Sequence, residues 1–225
     1  PTSSKDPFAL RRSAIGLLRT IIENNLTVGP RDLIDYLIRF YTEQGVKDVN
    51  KNTHLELINF FRDRMKNILK EKRVRPDIIE ASLSSHTNDN FLELYKKTLV
   101  MNKFISKDLG KNAVSTYKRA YNIIDREKNI SKSGPDAVLF KQDEEKELFD
   151  KINDIRKAFT YKEKKESYEN HLKLLSDAKL STDKFFDNVK VNDENNDIKN
   201  NRLELLQRLC STFNTFIDFS KLEGN

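Results

Sequence analysis

The strongest constraint on the fold is an apolar stripe near the C-terminal end of the sequence. Within Lys184–Phe219, large apolar residues recur at steps of three and four, at Leu206, Leu209, Phe213, Phe216 and Ile217. This spacing places them on one face of an α-helix, and such a face needs a partner that buries it. Asp193 and Glu194 precede the stripe, where acidic side chains favour a helix N-terminus. A closing helix is therefore predicted to begin near Asp193.

A short apolar segment lies just before this helix and is predicted to fold back on its stripe as a clasp. Its apolar members are Phe185, Phe186, Val189 and Val191. Two adjacent phenylalanines before a valine-rich segment are more often core residues than surface residues. Stacking on unpaired nucleobases is the alternative role for Phe185 and Phe186.

Helical periodicity continues through the rest of the chain. Apolar spacing, helix-starting prolines and acidic first turns predict helices over about Pro7–Asn25, Pro30–Gln44, Leu55–Lys72, Pro76–Ser84, Phe91–Val100, Asp108–Lys128, Asp143–Phe159 and Lys162–Leu180. No two alternating β-branched runs are joined by a hairpin turn, so the predicted sheet content is near zero. The fold class is predicted to be all-α, with a helical layer followed by an antiparallel helical bundle. Residues 1–100 and 101–225 are predicted to be the two domains.

Composition excludes several classes of protein. The longest apolar run, Ala14–Leu18, is far shorter than the roughly 20 residues that a membrane span needs. A single cysteine, Cys210, cannot form an internal disulfide, and we therefore expect a cytoplasmic location. The chain opens on Pro1 rather than Met, and we expect it to be a piece of a longer protein.

Residue patterns typical of catalysis are missing from the sequence. The three histidines, His54, His86 and His171, are far apart and have no second metal ligand at helical spacing. The six glycines form neither a P-loop nor a dinucleotide-binding motif. Carboxylates mostly stand beside lysines, where surface pairing is their ordinary role. We therefore predict no catalytic residue and no metal site.

A positive charge balance suggests a polyanionic partner. The formal net charge is +6 and the pI is near 9.2, which suits phosphate contacts. Four cations at steps of four, four and three, namely Arg62, Lys66, Lys70 and Arg73, share one face of a predicted helix. They could follow an RNA backbone or form an ordinary solvated face. An A+T-rich coding bias, which enriches lysine and asparagine, is the alternative origin of the basic balance.

Four stretches of sequence resemble a known family. FFDNVKVNDENNDIKNNRLELLQRL at Phe185–Leu209 resembles the C-terminal end of the β subunit of bacterial glycyl-tRNA synthetase, the two-α, two-β type, which carries a DALR-type anticodon-binding domain. DPFALRRSAIGLLRTIIENNL at Asp6–Leu26, FFRDRMKNILKEKRVRPDIIEASLSS at Phe60–Ser85 and AYNII at Ala120–Ile124 are similar to the same subunit in the same order. Lys190 departs from the family pattern, because an apolar residue is expected between Val189 and Val191.

The resemblance implies a division of labour between subunits. In this family the α subunit carries the aminoacylation chemistry, with ATP and Mg²⁺, while the helical C-terminal domain of the β subunit recognises the anticodon region of tRNA(Gly). The chain is thus expected to be a noncatalytic fragment, with residues 1–100 in the body of the β subunit and 101–225 as the anticodon-binding domain. Its expected partners are tRNA(Gly), the α subunit and the rest of the β subunit, and no cofactor is expected in the fragment. The alternative is a helical scaffold or subunit-interaction segment without direct base readout.

With the resemblance, one helix becomes the candidate RNA site. Charged, amide and aromatic side chains are interleaved over Asp108–Lys128, as suits phosphates and unstacked bases. The expected RNA-binding residues are Lys118, Arg119, Asn122 and Arg126, with Asn192 or Arg202 approaching from the closing stretch. Arg119 beside Asn122 would supply the donor and acceptor that a cytosine of the anticodon requires. A solvated helix face, with Tyr117 and Tyr121 half in the core, is the alternative interpretation.

Overall fold

A computed structural model describes residues 8–27, 29–46, 52–84, 90–127, 130–131, 133–162 and 167–223. The α-helices in these ranges are α1 (Leu10–Glu23), α2 (Pro30–Glu43), α3 (Thr53–Glu71), α4 (Pro76–Ser84), α5 (Phe91–Ile105), α6 (Asp108–Ile124), α7 (Asp143–Lys162), α8 (Tyr168–Ser176), α9 (Lys179–Asn188) and α10 (Asn196–Phe213). Two short 3-10 helices span Ala137–Leu139 and Phe219–Lys221. The described residues contain no strand, and the all-α prediction is confirmed.

The chain divides into two compact units. Unit 1 is Pro1–Leu99 and unit 2 is Val100–Asn225. No helix within the ranges above is both long enough and apolar enough to cross a membrane.

Unit 1 is organised around α3, which packs against α1, α2 and α4. Met65 and Leu69 of α3 are fully buried, as are Leu18 of α1 and the Ile78–Ile79 pair of α4. These positions repeat at helical spacing, so their side chains form one continuous core between the helices.

One face of α2 stays exposed in unit 1. Ile34 is buried, but Tyr36, Leu37, Phe40 and Tyr41 are 59, 40, 42 and 50 per cent exposed. The Tyr36 and Phe40 rings are stacked with centroids 6.4 Å apart, because residues four apart are neighbours on a helix. The described part of unit 1 thus presents a compact aromatic surface.

Unit 2 is organised around α6 and α10. The rings of Tyr117, Phe213 and Phe219 meet with centroids 5.2 to 5.9 Å apart, and all three side chains are at most 1 per cent exposed. The predicted apolar stripe of the closing helix is buried throughout: Leu206, Leu209, Phe213, Phe216 and Ile217 are at most 4 per cent exposed. Phe216 and Ile217 lie in the turn after α10 rather than in the helix.

The closing helix begins three residues later than predicted. Asn195 is the N-cap, and its side-chain oxygen accepts hydrogen bonds from the backbone N–H groups of Asp197 and Ile198 at 2.9 and 3.3 Å. Asparagine is among the best N-cap residues, because its side chain satisfies donors that the first turn leaves unpaired. Asp193, predicted to begin the helix, lies in the connection before it.

Phe185 and Phe186 of the predicted clasp lie in a helix, while Val189 and Val191 follow it. The prediction of one helix over about Lys162–Leu180 was wrong. Helix α8 ends at Ser176, a turn follows, and α9 then includes Phe185 and Phe186. Ser181 and Thr182 are buried, and both hydroxyls donate to the Ala178 carbonyl. The inward face of α9 thus includes small polar residues whose hydroxyls are satisfied locally, and an apolar-spacing pattern does not detect such a helix.

An amide of α10 holds part of the long connection between α6 and α7. Asn201 of α10 accepts from the backbone N–H of Asp136 at 2.7 Å and donates to the Asp136 carbonyl at 3.0 Å. The Asn201 side chain is buried, and a buried amide needs hydrogen-bond partners, which the Asp136 backbone supplies. The loop before α7 is therefore fixed to α10.

Candidate nucleic-acid interface

The outward face of α6 carries three of the six predicted RNA-binding residues. Ala113, Tyr117 and Ala120 are buried against unit 2. Because these residues fix the inward face of the helix, Arg119 and Asn122 are directed to solvent, and Lys118 is half-buried beside them. The structure thus brings Lys118, Arg119 and Asn122 together on adjacent turns of one helix.

Arg126 lies beyond the end of this helix. Helix α6 ends at Ile124, four residues before the predicted end at Lys128, and Arg126 is exposed in the turn that follows. It continues the positive surface of α6 at its C-terminal end, where a cation also complements the helix dipole.

Arg119 is engaged by α9. Its Nη1 lies 3.5 Å from Asp183 Oδ1 and its Nη2 lies 3.6 Å from Asp187 Oδ1. Its guanidinium carbon lies 4.4 Å from the centroid of the Phe186 ring, a cation–π distance. The side chain is nevertheless 45 per cent exposed. Two nitrogens of the guanidinium therefore face carboxylates of the same chain, an arrangement that differs from the expected role as a hydrogen-bond donor to cytosine.

The two tyrosines of α6 have different environments. Their rings are stacked, with centroids 5.5 Å apart and an angle of 15° between the planes. Tyr117 is buried, its hydroxyl accepts a hydrogen bond from Asn214 Nδ2 at 3.3 Å, and burial raises the pKa of that hydroxyl. Tyr121 is half-buried, and partial burial followed by the nearby Asp125 raises its pKa. Tyr117 is thus a core residue, and Tyr121 is the ring of this pair that solvent reaches.

Arg202 lies inside unit 2 and is only 4 per cent exposed. Its Nε donates to Glu145 Oε1 at 2.9 Å, while its Nη1 donates to the Lys190 carbonyl at 2.9 Å and to Asp193 Oδ2 at 2.8 Å. Because these acceptors occupy the guanidinium, we leave Arg202 out of the proposed RNA surface. Its contacts instead hold the segment that joins α9 to α10.

This segment presents Asn192 to solvent. Asn192 is exposed between the two residues that Arg202 holds, Lys190 and Asp193. The backbone N–H of Asn195, followed by Arg202, lowers the pKa of Asp193, so its carboxylate is charged at neutral pH. Asn192 therefore lies on a connection that is fixed from within the domain.

Several contributors to this site escaped sequence reasoning. Glu145 is fully buried and also accepts hydrogen bonds from the backbone N–H groups of Lys141 and Gln142 at 2.8 and 2.9 Å. Asp183 and Asp187, one helical turn apart, hold Arg119. In the sequence, the spacing of four residues between Asp183 and Asp187 indicates that the two carboxylates share one helix face. It does not indicate that their partner is Arg119 on α6.

The cations predicted for α3 do not all lie on that helix. Arg62, Lys66 and Lys70 are on α3 at steps of four, and Lys66 Nζ lies 3.7 Å from Glu80 Oε2. Arg73 follows the helix end at Glu71 and has a left-handed backbone with φ of 56°. Lys70 and Arg73 are exposed.

A cleft of about 360 Å³ opens beside the N-terminus of α7. Phe140 and Phe149 line it, together with Gln142, and their rings meet edge to face at 5.4 Å. Two lysines and two aspartates complete the lining: Lys141, Lys146, Asp143 and Asp150. The charges balance, so the cleft has no net attraction for a phosphate. Among the described residues, no three His, Cys, Asp or Glu side chains are grouped as a metal site would require.

Comparisons with known proteins match both units. Residues 1–84 match the family model described as glycyl-tRNA synthetase beta subunit, and residues 113–221 match the model described as DALR anticodon binding domain. The glycine–tRNA ligase beta subunits of Rickettsia africae and Rickettsia conorii are each 37 per cent identical to the chain over 222 residues, which cover 99 per cent of this chain and 32 per cent of each relative. The protein of the same name from Rickettsia felis is 35 per cent identical over 99 per cent of the chain and 31 per cent of its own length. The chain thus spans about a third of the length of these relatives.

Proposed function

Since the chain belongs to the family of glycyl-tRNA synthetase β subunits, we propose that unit 2 binds the anticodon region of tRNA(Gly) for aminoacylation carried out with the α subunit. ATP and Mg²⁺ then act at the α subunit, and this fragment contributes RNA binding without a catalytic residue of its own.

The observation that carries the proposal is the anticodon-binding match at residues 113–221. The match covers most of unit 2 and includes every residue of the outward α6 surface. The side chains of Lys118 and Asn122 on α6, and of Arg126 just beyond it, make no hydrogen bond or ion pair with the described part of the chain, so their polar groups are available to a ligand.

The chemistry of these side chains divides the work of binding. Lys118 and Arg126 supply charge for phosphates, which positions the RNA. The amide of Asn122 can accept from the amino group of a cytosine and donate to its ring nitrogen or carbonyl, which gives sequence preference. Asn192, on the fixed connection after α9, offers a second amide of the same kind.

A binding titration against tRNA(Gly) tests the proposal. The chain should bind in a salt-dependent manner, and replacing both cytosines of the anticodon should weaken binding. The combined variant Lys118→Gln, Asn122→Ala and Arg126→Gln should bind at least about tenfold more weakly, the loss expected from two phosphate contacts and one base contact. Equal affinity for the two RNAs, at both low and moderate salt, would refute anticodon recognition.

The matched control is Lys157→Gln. Lys157 is an exposed cation on α7, outside the α6 surface, so its variant loses the same charge as Lys118→Gln without touching the proposed site. Its affinity should stay close to that of the parent chain. A loss as large as that of the combined variant would show that net charge, not the site, drives binding.

A second role is proposed for unit 1, because α2 exposes four large apolar side chains. Monomeric surfaces rarely keep such a patch unless a partner covers it. Unit 1 contains the match to the β-subunit model, and the chain spans only a third of its relatives. We therefore propose that the rest of the β-subunit polypeptide covers Tyr36, Leu37, Phe40 and Tyr41.

Hydrogen exchange of α2 in the isolated chain and in the full β subunit tests this role. Exchange in α2 should slow in the full β subunit, and adding the α subunit should change it no further. Protection that requires the α subunit would assign the surface to that partner, and unchanged exchange in every assembly would refute the proposed cover.

A further inference from the structure

The contacts of Arg119 point to a role other than base pairing or phosphate binding. We propose that its guanidinium, supported by the Phe186 ring, is a platform on which one unpaired base of the RNA stacks. This inference rests on the proposed function, because it names one contact within the same interface.

The geometry leaves one flat face of Arg119 for a ligand. The donors of a guanidinium lie in its plane, so Asp183 and Asp187 engage it along its edge. The guanidinium carbon lies over the Phe186 ring, 4.4 Å from its centroid, and the Arg119 side chain is still 45 per cent exposed. Unpaired RNA bases stack on guanidinium planes as they do on aromatic rings. The second face of Arg119 thus has the chemistry of a stacking surface.

The platform is held by helix α9. Phe185 is fully buried and anchors the helix, and the ring of Phe186 packs edge to face against it at 5.4 Å. Asp183 also accepts from Lys179 Nζ at 2.6 Å, which fixes the carboxylate that faces Arg119. Fixing a long side chain before the ligand arrives lowers the entropic cost of binding.

Local charge favours a base over a phosphate at this point. Arg119 and Lys179 are paired with Asp183 and Asp187, so the four side chains together carry no net charge. A phosphate at Arg119 would lie near two carboxylates that oppose it, whereas a neutral base meets no such repulsion. Lys118 and Arg126 are better suited to bind phosphates, because they have no acidic partner among the described residues.

A double-mutant cycle between protein and RNA tests the platform. The chain and its Arg119→Lys variant would be titrated with tRNA(Gly) and with versions in which each anticodon-loop nucleotide in turn is made abasic. Lysine keeps the charge but lacks the flat face. One abasic position should weaken binding of the parent chain by about 5- to 150-fold, the range for loss of one stacked base. Arg119→Lys should cost a similar factor with intact RNA and little more with that abasic RNA.

Two further variants keep the test decisive. Phe186→Leu removes the ring below the guanidinium and should show the same coupling to the same abasic position. Lys184→Gln breaks an exposed ion pair between α9 and Glu147 of α7, 2.9 Å long, and should leave binding unchanged. Independent, additive losses for Arg119→Lys at every loop position would overturn the platform.

Failure of the platform and failure of the proposed function can be distinguished. If the parent chain binds all abasic RNAs as tightly as the intact one, the anticodon proposal itself fails. If the parent chain discriminates among them but Arg119→Lys and Phe186→Leu show no coupling, only the platform fails. Urea unfolding of each variant checks that the lost affinity does not come from lost folding.

Discussion

Arg202 donates a hydrogen bond from Nε to Glu145 Oε1 at 2.9 Å, and the two side chains are 4 and 0 per cent exposed. The second oxygen of Glu145 accepts from two backbone N–H groups before α7, and Arg202 reaches the connection before α10. Because both charges are bonded inside unit 2, loss of Arg202 leaves the buried Glu145 without a cationic partner, whereas loss of Glu145 leaves Arg202 paired with Asp193 alone.

Removing this arginine should destabilise the chain strongly. Arg202→Met should lower the free energy of unfolding of unit 2 by about 3–5 kcal/mol, the usual cost of breaking a buried pair. The double variant Glu145→Gln and Arg202→Met should recover part of that loss, since it also removes the buried carboxylate that Arg202→Met alone leaves without a cationic partner. Urea unfolding monitored by circular dichroism measures both.

The matched control is the exposed pair of Lys184 and Glu147, with side chains 47 and 44 per cent exposed. Lys184→Met should cost at most about 1 kcal/mol, because water screens exposed pairs. Equal costs for Lys184→Met and Arg202→Met would contradict the buried-pair interpretation.

The thiol of Cys210 should be unreactive in the folded chain. Burial raises the pKa of the Cys210 thiol to about 12, and the reactive species is the thiolate. We expect a disulfide reagent such as DTNB to label the native chain slowly at pH 8 and the urea-unfolded chain at once. Rapid labelling of the native chain would show that the Cys210 side chain, on α10, is accessible to solvent.

The same thiol predicts an alkaline loss of stability. A thiol whose folded pKa is raised from 9.0 to about 12 stabilises the folded state fully below pH 9, and this contribution is lost as the pH rises toward 12. Between those values the unfolding free energy of the parent chain should fall by up to about 1.4 kcal/mol per pH unit more steeply than that of Cys210→Ala. If the unfolding free energies of the two proteins depend on pH in the same way, the raised pKa of Cys210 is refuted.

Two helical glycines should respond in opposite ways to alanine. A Cβ at Gly110 would overlap the Phe104 carbonyl oxygen and lie 2.6 Å from the Ile105 Cα, both backbone atoms, so Gly110→Ala should destabilise unit 2. A Cβ at Gly16 would meet nothing within 4 Å on α1. Gly16→Ala should therefore stabilise unit 1 by up to about 1 kcal/mol through helix propensity. Thermal unfolding compares them, and a stabilised Gly110→Ala would contradict the close approach of α5 and α6.

Lys70 near the end of α3 and Arg73 just after it are exposed, and both should contribute to RNA binding through charge alone. Lys70→Gln and Arg73→Gln should each lower the slope of log affinity against log salt for tRNA(Gly) by about one, without changing the preference for the anticodon cytosines. Lys96→Gln, an exposed lysine on α5, is the control. A slope unchanged by both Lys70→Gln and Arg73→Gln would make these two cations part of an ordinary solvated surface.

Sequence reasoning predicted the elements whose cores are apolar and missed those whose contacts are polar. The stripe from Leu206 to Ile217 and the cores of α3 and α6 follow from apolar spacing. Helix α9 was missed because Ser181 and Thr182 are part of its buried face. The positions of Arg119 and Arg202 depend on partners 64 and 57 residues away in the chain, and no local pattern specifies such pairs. Residue type alone could therefore nominate both arginines as RNA contacts, and only the fold distinguishes an exposed platform from a buried support.

Two adjacent side chains of α10 bind backbone atoms of two loops, and such contacts do not depend on which side chain the bound loop residue carries. Asn201 binds the N–H and carbonyl of Asp136, and Arg202 binds the carbonyl of Lys190. A main-chain carbonyl is the same whatever side chain it carries, and the side chain of Lys190 is exposed. A lysine can therefore replace the apolar residue expected at this position while the loop keeps its path. Changes of side chain at positions such as Lys190 are thus compatible with a constant loop path, provided that Asn201, Arg202 and the Asp193 carboxylate that Arg202 also binds are kept.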